Sequence, residues 1–239
     1  MSPNKFNKII VLLFLIASCK KTDPGIIPLA SINIVNATVN LGTIKANFTN
    51  AGTKNNGYQY YSQITTSIGY GSNSILGVLA QTQVPITIAP ISDTAQPIYS
   101  GSLNFAKGAG YSLYLAGTAA AVDTILMLDA IPYYSDSSCG VRFINLSYNS
   151  NSIIITQAVT PTVDDFSSMS YKQISAFKTY NAGQANASYS FQVRDAATNT
   201  LLATYVLSTP YFHNVTLAWI GQTGGSGANA PKIVRINNY

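Results

Sequence analysis

From about Ile26 onward, apolar positions either alternate with polar ones or gather in short β-branched runs, and turn residues interrupt them at intervals of roughly 8–15 residues. The runs over 31–36, 85–89, 111–116 and 124–128 predict strands in the first half. Those over 141–146, 152–156, 189–193, 201–207, 215–220 and 232–236 predict strands in the second. Beyond residue 27 no long window carries an apolar stripe at helical spacing. Many short strands at this spacing are the pattern of a sandwich or barrel.

The halves also resemble each other. Ile32-Asn-Ile-Val-Asn-Ala-Thr38 parallels Arg142-Phe-Ile-Asn-Leu-Ser147, an apolar strand running into Asn and a small hydroxyl residue. Ser112-Leu-Tyr-Leu-Ala-Gly117 parallels Thr216-Leu-Ala-Trp-Ile-Gly221, a late strand ending on Gly. About 100 residues per half is enough to bury a core. The expected architecture is therefore all-β: two tandem immunoglobulin-like β-sandwich domains over 28–130 and 140–239. A Pro- and Ser-containing linker over 131–139 joins them.

The N-terminus reads as an address. Lys5 and Lys8 precede an apolar run over 9–16, and small residues lead to Cys19. These are the parts of a secretory signal, and the run is too short to span a bilayer. Ile16-Ala17-Ser18-Cys19 resembles the lipobox of bacterial lipoproteins, in which the Cys thiol is alkylated by diacylglycerol, the chain is cut before it and the new amine is acylated. The resemblance implies a signal peptide over 1–18, lipidation at Cys19 and a tether over 19–27. A stable anchor needs two or more acyl chains, which this processing supplies. Lys20-Lys21-Thr22-Asp23 resembles the surface-export signals of Bacteroides-type lipoproteins. The expected location is the outer membrane, lipid-anchored, facing the periplasm or the cell exterior.

The strand Gly140-Val-Arg-Phe-Ile-Asn-Leu-Ser147, the preceding Asp129-Ala-Ile-Pro-Tyr-Tyr-Ser-Asp136 and the late run Tyr189-Ser-Phe-Gln-Val193 resemble the domain of unknown function numbered 4397. That family occurs, often in two copies, in lipoproteins of Bacteroides-type bacteria. The likeness covers most of the chain after the signal and is better in the second copy. Where the family often has an Asp-Ala-Pro-like turn, Tyr148-Asn-Ser-Asn-Ser152 stands here. The family has no established chemistry, so the resemblance implies fold and location and no active site.

Composition narrows the chemistry. Charged residues make up only 9% of the chain, all eight acids are Asp, and His213 is the one His. Catalytic proton transfer usually draws on His, Glu or Asp, so the expectation is a protein that is not an enzyme and uses no cofactor. Without Lys5 and Lys8, 11 basic residues remain against eight acidic ones, a net of +3. They are scattered singly apart from Lys20–Lys21, which does not make the basic stripe that nucleic acid requires.

Each candidate site meets a simpler reading. Cys139 is the one thiol left after lipidation and is expected to be a structural, semi-buried residue. Around His213 there is no Gly-x-Ser-x-Gly elbow for a triad. Asp164–Asp165 reads as a turn or short-helix cap, and no residue set reads as a metal site. Gly221-Gln-Thr-Gly-Gly-Ser-Gly227 links two strands without a Gly-Lys-Ser/Thr ending, so it reads as a hairpin loop and not a phosphate cradle. Asp93-Thr94-Ala95 and Asp123-Thr124-Ile125 resemble O-glycosylation sites of exported Bacteroides-type proteins. Tyr58, Tyr60 and Tyr61 follow a loop-like Asn50–Gly57 stretch and are the candidate binding residues, because aromatic faces on loops stack on sugars or partner surfaces.

Three roles fit: a non-enzymatic outer-membrane lipoprotein with a binding or structural role, a surface glycan-binding lipoprotein, and a fimbrial or adhesin subunit assembling by strand addition with 232–236 as donor. The expected partners are the membrane through the lipid anchor, and a glycan or surface protein.

Overall fold

The computed structural model describes residues 28–48, 67–183, 188–208 and 213–238. The lipobox with Cys19 lies outside the described residues, as do Tyr58, Tyr60 and Tyr61. In the first half the strands are β1 (Leu29–Asn36), β2 (Ile44–Asn47), β3 (Ser72–Leu79), β4 (Val84–Pro90), β5 (Tyr99–Leu103), β6 (Gly110–Thr118) and β7 (Ala121–Leu128). In the second they are β8 (Ser138–Asn145), β9 (Ile153–Gln157), β10 (Thr160–Met169), β11 (Lys178–Asn181), β12 (Ser188–Asp195), β13 (Leu201–Ser208), β14 (Asn214–Ile220) and β15 (Lys232–Asn238). The chain is all-β, and every predicted run overlaps one of these strands. β7 ends at Leu128 and β8 starts at Ser138, so the connection between the halves runs over 129–137, two residues earlier than the expected 131–139.

Among the described residues the strands form four sheets, with strand orders β3-β1-β6-β7, β2-β4-β5, β11-β8-β14-β15 and β10-β9-β12-β13. In each half the first strand is central and pairs in parallel with a late one, β1 with β6 and β8 with β14. An immunoglobulin sandwich instead orders its strands A-B-E-D against C-F-G. The layering is that of a sandwich; the connectivity is its own. The expected donor segment, β15, is hydrogen-bonded to β14 from Lys232 to Asn238.

The duplication appears in matching hydrogen bonds. Ala37 donates to Leu115 O and Val39 to Gly117 O in the first copy; Leu146 donates to Trp219 O and Tyr148 to Gly221 O in the second. Asn36 Nδ2 donates to Ile68 O at 3.2 Å, and Asn145 Nδ2 donates to Met169 O at 3.1 Å. Their Oδ1 atoms accept from the backbone of Thr38 and Ser147. Each Asn, fully buried, thereby ties the corner after its strand to the backbone of a neighbouring segment. Gly117 and Gly221 occupy the left-handed region at φ 77° and 107°. A Cβ at Gly117 would lie 2.4 Å from Ala121 O and one at Gly221 2.7 Å from Ala230 O, so both turns require Gly.

Alternate residues of the inner strands feed different cores. Ile32, Ile34, Leu113 and Leu115 pack against Ile44, Ile86 and Ile88 inside the first sandwich. Val141, Phe143, Leu217 and Trp219 pack against Ile155, Phe166, Phe191 and Val193 inside the second. A third core joins the sandwiches: Val35, Ala37, Tyr114 and Ala116 from the first half meet Ile144, Leu146, Ala218 and Ile220 from the second. These are equivalent positions of the two copies, the property of an isologous interface. The inner sheets are thus buried on both faces, which explains why β8 and β14 lack the polar alternation of a one-sided strand.

One end of this third core is polar. Arg142, almost fully buried, donates to Asp129 Oδ1 at 2.7 Å, to Tyr114 OH at 3.1 Å and, through Nε, to Thr216 Oγ1 at 2.8 Å. Ser112 donates to Asp129 Oδ2 and Thr216 to Asn238 Oδ1, both at 2.6 Å, the same bond in each copy. Burial pushes the Tyr114 hydroxyl pKa up, so it stays protonated. Further out, Tyr171 and Lys172 of the second half both bond Asp123 of the first, at 2.9 Å each.

Removing one partner of a buried ion pair typically costs about 3–5 kcal/mol, because the other charge is left uncompensated. Arg142→Ala is expected to lower stability by about that amount in urea denaturation. The shared core further predicts one cooperative transition, with the fluorescence of Trp219 and far-UV circular dichroism superimposing. Two separated transitions would mean that the sandwiches fold independently.

Candidate functional site

Of the sequence candidates, the described ones become structural. Cys139 is fully buried in the second sandwich core, and burial pushes its thiol pKa up to about 11. A nucleophilic Cys needs the opposite shift. His213 is exposed, and its carbonyl accepts from Gly140 N–H at 3.2 Å. Asp164 and Asp165 do not form the expected turn or cap; they lie inside β10, where successive register shifts bend the strand. Asp165 accepts from Tyr180 OH at 2.5 Å, from Gln157 Nε2 at 3.0 Å and from Lys178. That cluster ties β10 of one sheet to β11 of the facing sheet, and both burial and the carboxylate hold the Tyr180 hydroxyl protonated. Thr124 is exposed on β7 while its neighbour Asp123 is committed to the ion pair with Lys172. Tyr133 is exposed within the connection between the halves.

A different set of residues forms a cavity. At one end of the second sandwich, Ser150, Asn151, Asp195, Leu202, Trp219, Thr223, Gly224 and Pro231 enclose about 290 Å³. That is near the lower bound of small-molecule pockets, which run to ~300–1,000 Å³. Two loops, β8–β9 and β14–β15, and the ends of β12, β13 and β14 contribute, and hydrogen bonds hold them together. Thr223 N–H donates to Asn149 Oδ1 at 2.9 Å, which ties the β14–β15 loop to the β8–β9 loop. Asn149 sits at φ 56°, a left-handed position that Asn tolerates. Asn151 Nδ2 donates to Asp195 Oδ2 at 2.9 Å.

Asp195 is the ordering group. Its Oδ1 accepts from Ala197 N, Thr198 N and Thr198 Oγ1, closing the turn between β12 and β13. With Asn151 on Oδ2, the carboxylate accepts four hydrogen bonds, three on Oδ1 and one on Oδ2. The side-chain bond from Asn151 and the backbone bonds of the turn hold its pKa below the usual carboxylate value. Trp219 is buried, and its Nε1 has no hydrogen-bond partner in the protein. Asn151, Leu202, Thr223 and Gly224 form the exposed rim.

The first copy provides an internal control. By the matched hydrogen bonds and registers, Ser150, Asn151, Asp195, Trp219 and Thr223 correspond to Leu41, Gly42, Pro90, Leu115 and Ala119. None of these carries a polar side chain. The polar furnishing of this end is therefore not required by the fold. Composition did not reveal it, because the residues are spread over 150–231. The paired segments ending on Gly117 and Gly221, which oppose Leu115 to Trp219, were the one available signal.

A second cavity of about 340 Å³ lies beside Met127, Pro132, Arg142 and Phe177. Arg142 is committed there to its three partners and lies 4.5 Å from the Phe177 ring centroid, so this cavity belongs to the interface network. Among the described residues no group of three or more His, Cys, Asp or Glu could hold a metal ion.

No protein-family model matches the chain, and no curated protein does. Among solved structures, the crystal structure of a leucine-rich repeat protein from Bacteroides thetaiotaomicron is 12% identical over 82% of this chain and 26% of that one, with a TM-score of 0.18. At that score the likeness carries no argument about fold or role.

In protein lacking residues 1–22, a thiol reagent at pH 8 is expected to leave Cys139 unmodified until denaturant is added, and then to label one thiol. With a folded pKa of about 11 against an ordinary 9.0, the Cys139 contribution leaves stability unchanged below about pH 9 and reduces it as pH rises toward 11. Labelling at the rate of an exposed thiol would contradict the burial.

Proposed function

We propose that this chain is a non-enzymatic lipoprotein of the bacterial outer membrane, anchored through Cys19, in which the double sandwich acts as a rigid carrier for a small-molecule site at the end of the second copy. The observation that carries the binding role is the unequal furnishing of equivalent loop ends: polar in the second copy, apolar in the first. A purely structural spacer has no need of that difference. The lipobox resemblance supports the anchor, and among the described residues no helix is long and apolar enough to cross a membrane.

The glycan-binding reading through Tyr58, Tyr60 and Tyr61 remains a second, separate site proposal, motivated by aromatic residues next to a loop-like stretch. Assembly by strand addition is favoured by nothing comparable, since its donor segment is already paired along β14.

Cys19→Ala is expected to move the protein from the membrane fraction to the soluble fraction of the cell envelope, with loss of metabolic labelling by palmitate. Retention of the variant in the outer membrane would remove the anchoring half of the proposal.

A further inference from the structure

We propose that the end of the double sandwich from which the tether leaves is a membrane-docking surface, its exposed apolar side chains seated in the headgroup region of the bilayer that holds the anchor. This reading rests on the lipid anchor at Cys19 proposed above and adds the orientation of the folded chain upon it.

Strand register gathers the surface at one end of the molecule. Leu29 opens β1 and lies opposite Leu79, the last residue of β3. β6 runs parallel to β1, and Tyr111 near its start lies opposite Leu128, which closes β7. Leu29, Leu79 and Leu128 therefore share an end. The second sandwich points the same way, because Arg142, early in β8, bonds Asp129, one residue past β7. At the far end Asp123, early in β7, meets Tyr171 and Lys172 after β10. The connection that carries Tyr133 joins the last residue of β7 to the first of β8, so it lies with the three leucines. β9 returns from the far end, which brings Val159, in the β9–β10 turn, to the same place.

Exposure is concentrated there. Tyr133 and Val159 are the most exposed large apolar side chains among the described residues, at 91% and 83%, and Leu128 stands at 61%. At the far end the highest value is 51%, at Ile91. Apolar side chains gathered in water mark a surface that meets a partner or a membrane. Tyr favours the headgroup level, where its ring is covered and its hydroxyl stays wet.

The tether selects lipid as the occupant. Pro28 O accepts from Ala80 N–H at 2.9 Å, so the chain enters the fold at this same end. Leu29 follows Cys19 by ten residues, a reach of about 35 Å when fully extended. A strand as long as β1 spans about 27 Å. The anchor therefore holds this end beside the bilayer at high effective concentration, while the far end stands a strand length further away. The cavity over Asn151, Asp195 and Thr223 lies at the far end, so the docked molecule turns it away from the membrane.

The test uses the lipidated mature protein in phosphatidylethanolamine–phosphatidylglycerol vesicles. An environment-sensitive thiol-reactive fluorophore is placed at Tyr133→Cys or, at the far end, at Ala197→Cys. Cys19 is blocked by its lipid and Cys139 is buried, so each variant takes one label. The label at 133 is expected to emit at shorter wavelength and to lose most of its emission to lipid-borne nitroxides near the headgroups. The label at 197 should be unchanged. Adding Leu29→Gln/Leu128→Gln/Val159→Gln, all at exposed positions, should abolish the quenching at 133 while the protein still floats with the vesicles.

No quenching at 133, or equal quenching of both labels, in protein that floats with the vesicles overturns the docking and leaves the anchor standing. Quenching at 133 that survives the three Gln substitutions overturns the apolar basis of the contact. Protein that fails to float overturns the anchor and the docking together. A dimer in detergent that the Gln substitutions convert to a monomer would assign the surface to a second copy and overturn the proposal.

Discussion

The structure depends on the contact between the two inner sheets. Once Val35, Tyr114, Ile144, Ala218 and Ile220 share one core, the central strands of both sandwiches lose their solvent faces. Fully burying an aliphatic side chain is worth about 1.5–3 kcal/mol, so this face joins the halves more firmly than a short linker would. Its cost is the polar end, where Arg142 cannot be hydrated. Asp129, Tyr114 and Thr216 replace water around the guanidinium, and Phe177 covers its face. A charge so enclosed fixes the register of one sandwich on the other, since sliding would strand it.

Much of the fold was legible because buried β-strands announce themselves through β-branched and aromatic runs. β1, β6, β8 and β14 are buried on both faces and rich in apolar residues, and β12 alternates. β3 (Ser72–Leu79) and β10 (Thr160–Met169) did not stand out, because Ser, Gly, Asp and Thr occupy their exposed positions. β10 bends through register shifts with β9 and keeps only Phe166 and Met169 buried. β2, β5 and β11 are four or five residues long and hold no more than two large apolar residues each, too few to mark a run. The two-copy organisation was legible from the Asn and Gly landmarks, and those residues prove to be the corner clamps. The face-to-face stacking was not, because an apolar position on β1 reads the same whichever core it enters.

The candidate site was less legible for a geometric reason. Its groups come from two loops and the ends of three strands, and each looks ordinary in its own segment. Asp195 reads as a turn residue, Asn151 as part of a polar loop, Trp219 as core. The tyrosines drew attention instead, because aromatic abundance is visible in composition. Yet Tyr114 and Tyr180, buried, and Tyr171, half-buried, serve as hydrogen-bonding struts.

The meeting of equivalent positions across the third core has a bearing on ancestry. A surface that binds its own copy is what a single sandwich needs to form a two-fold pair, so the fused chain reproduces the plan of a homodimer within one polypeptide. Fusion changes what each half is free to become. In a dimer of identical subunits, a polar cavity acquired by one appears in both, and any packing lost to it is lost twice. With the subunits joined, one half can keep Leu41, Pro90 and Leu115 and stay a well-packed support, while the other exchanges them for Ser150, Asp195 and Trp219. The asymmetry is one that a dimer of identical subunits cannot have.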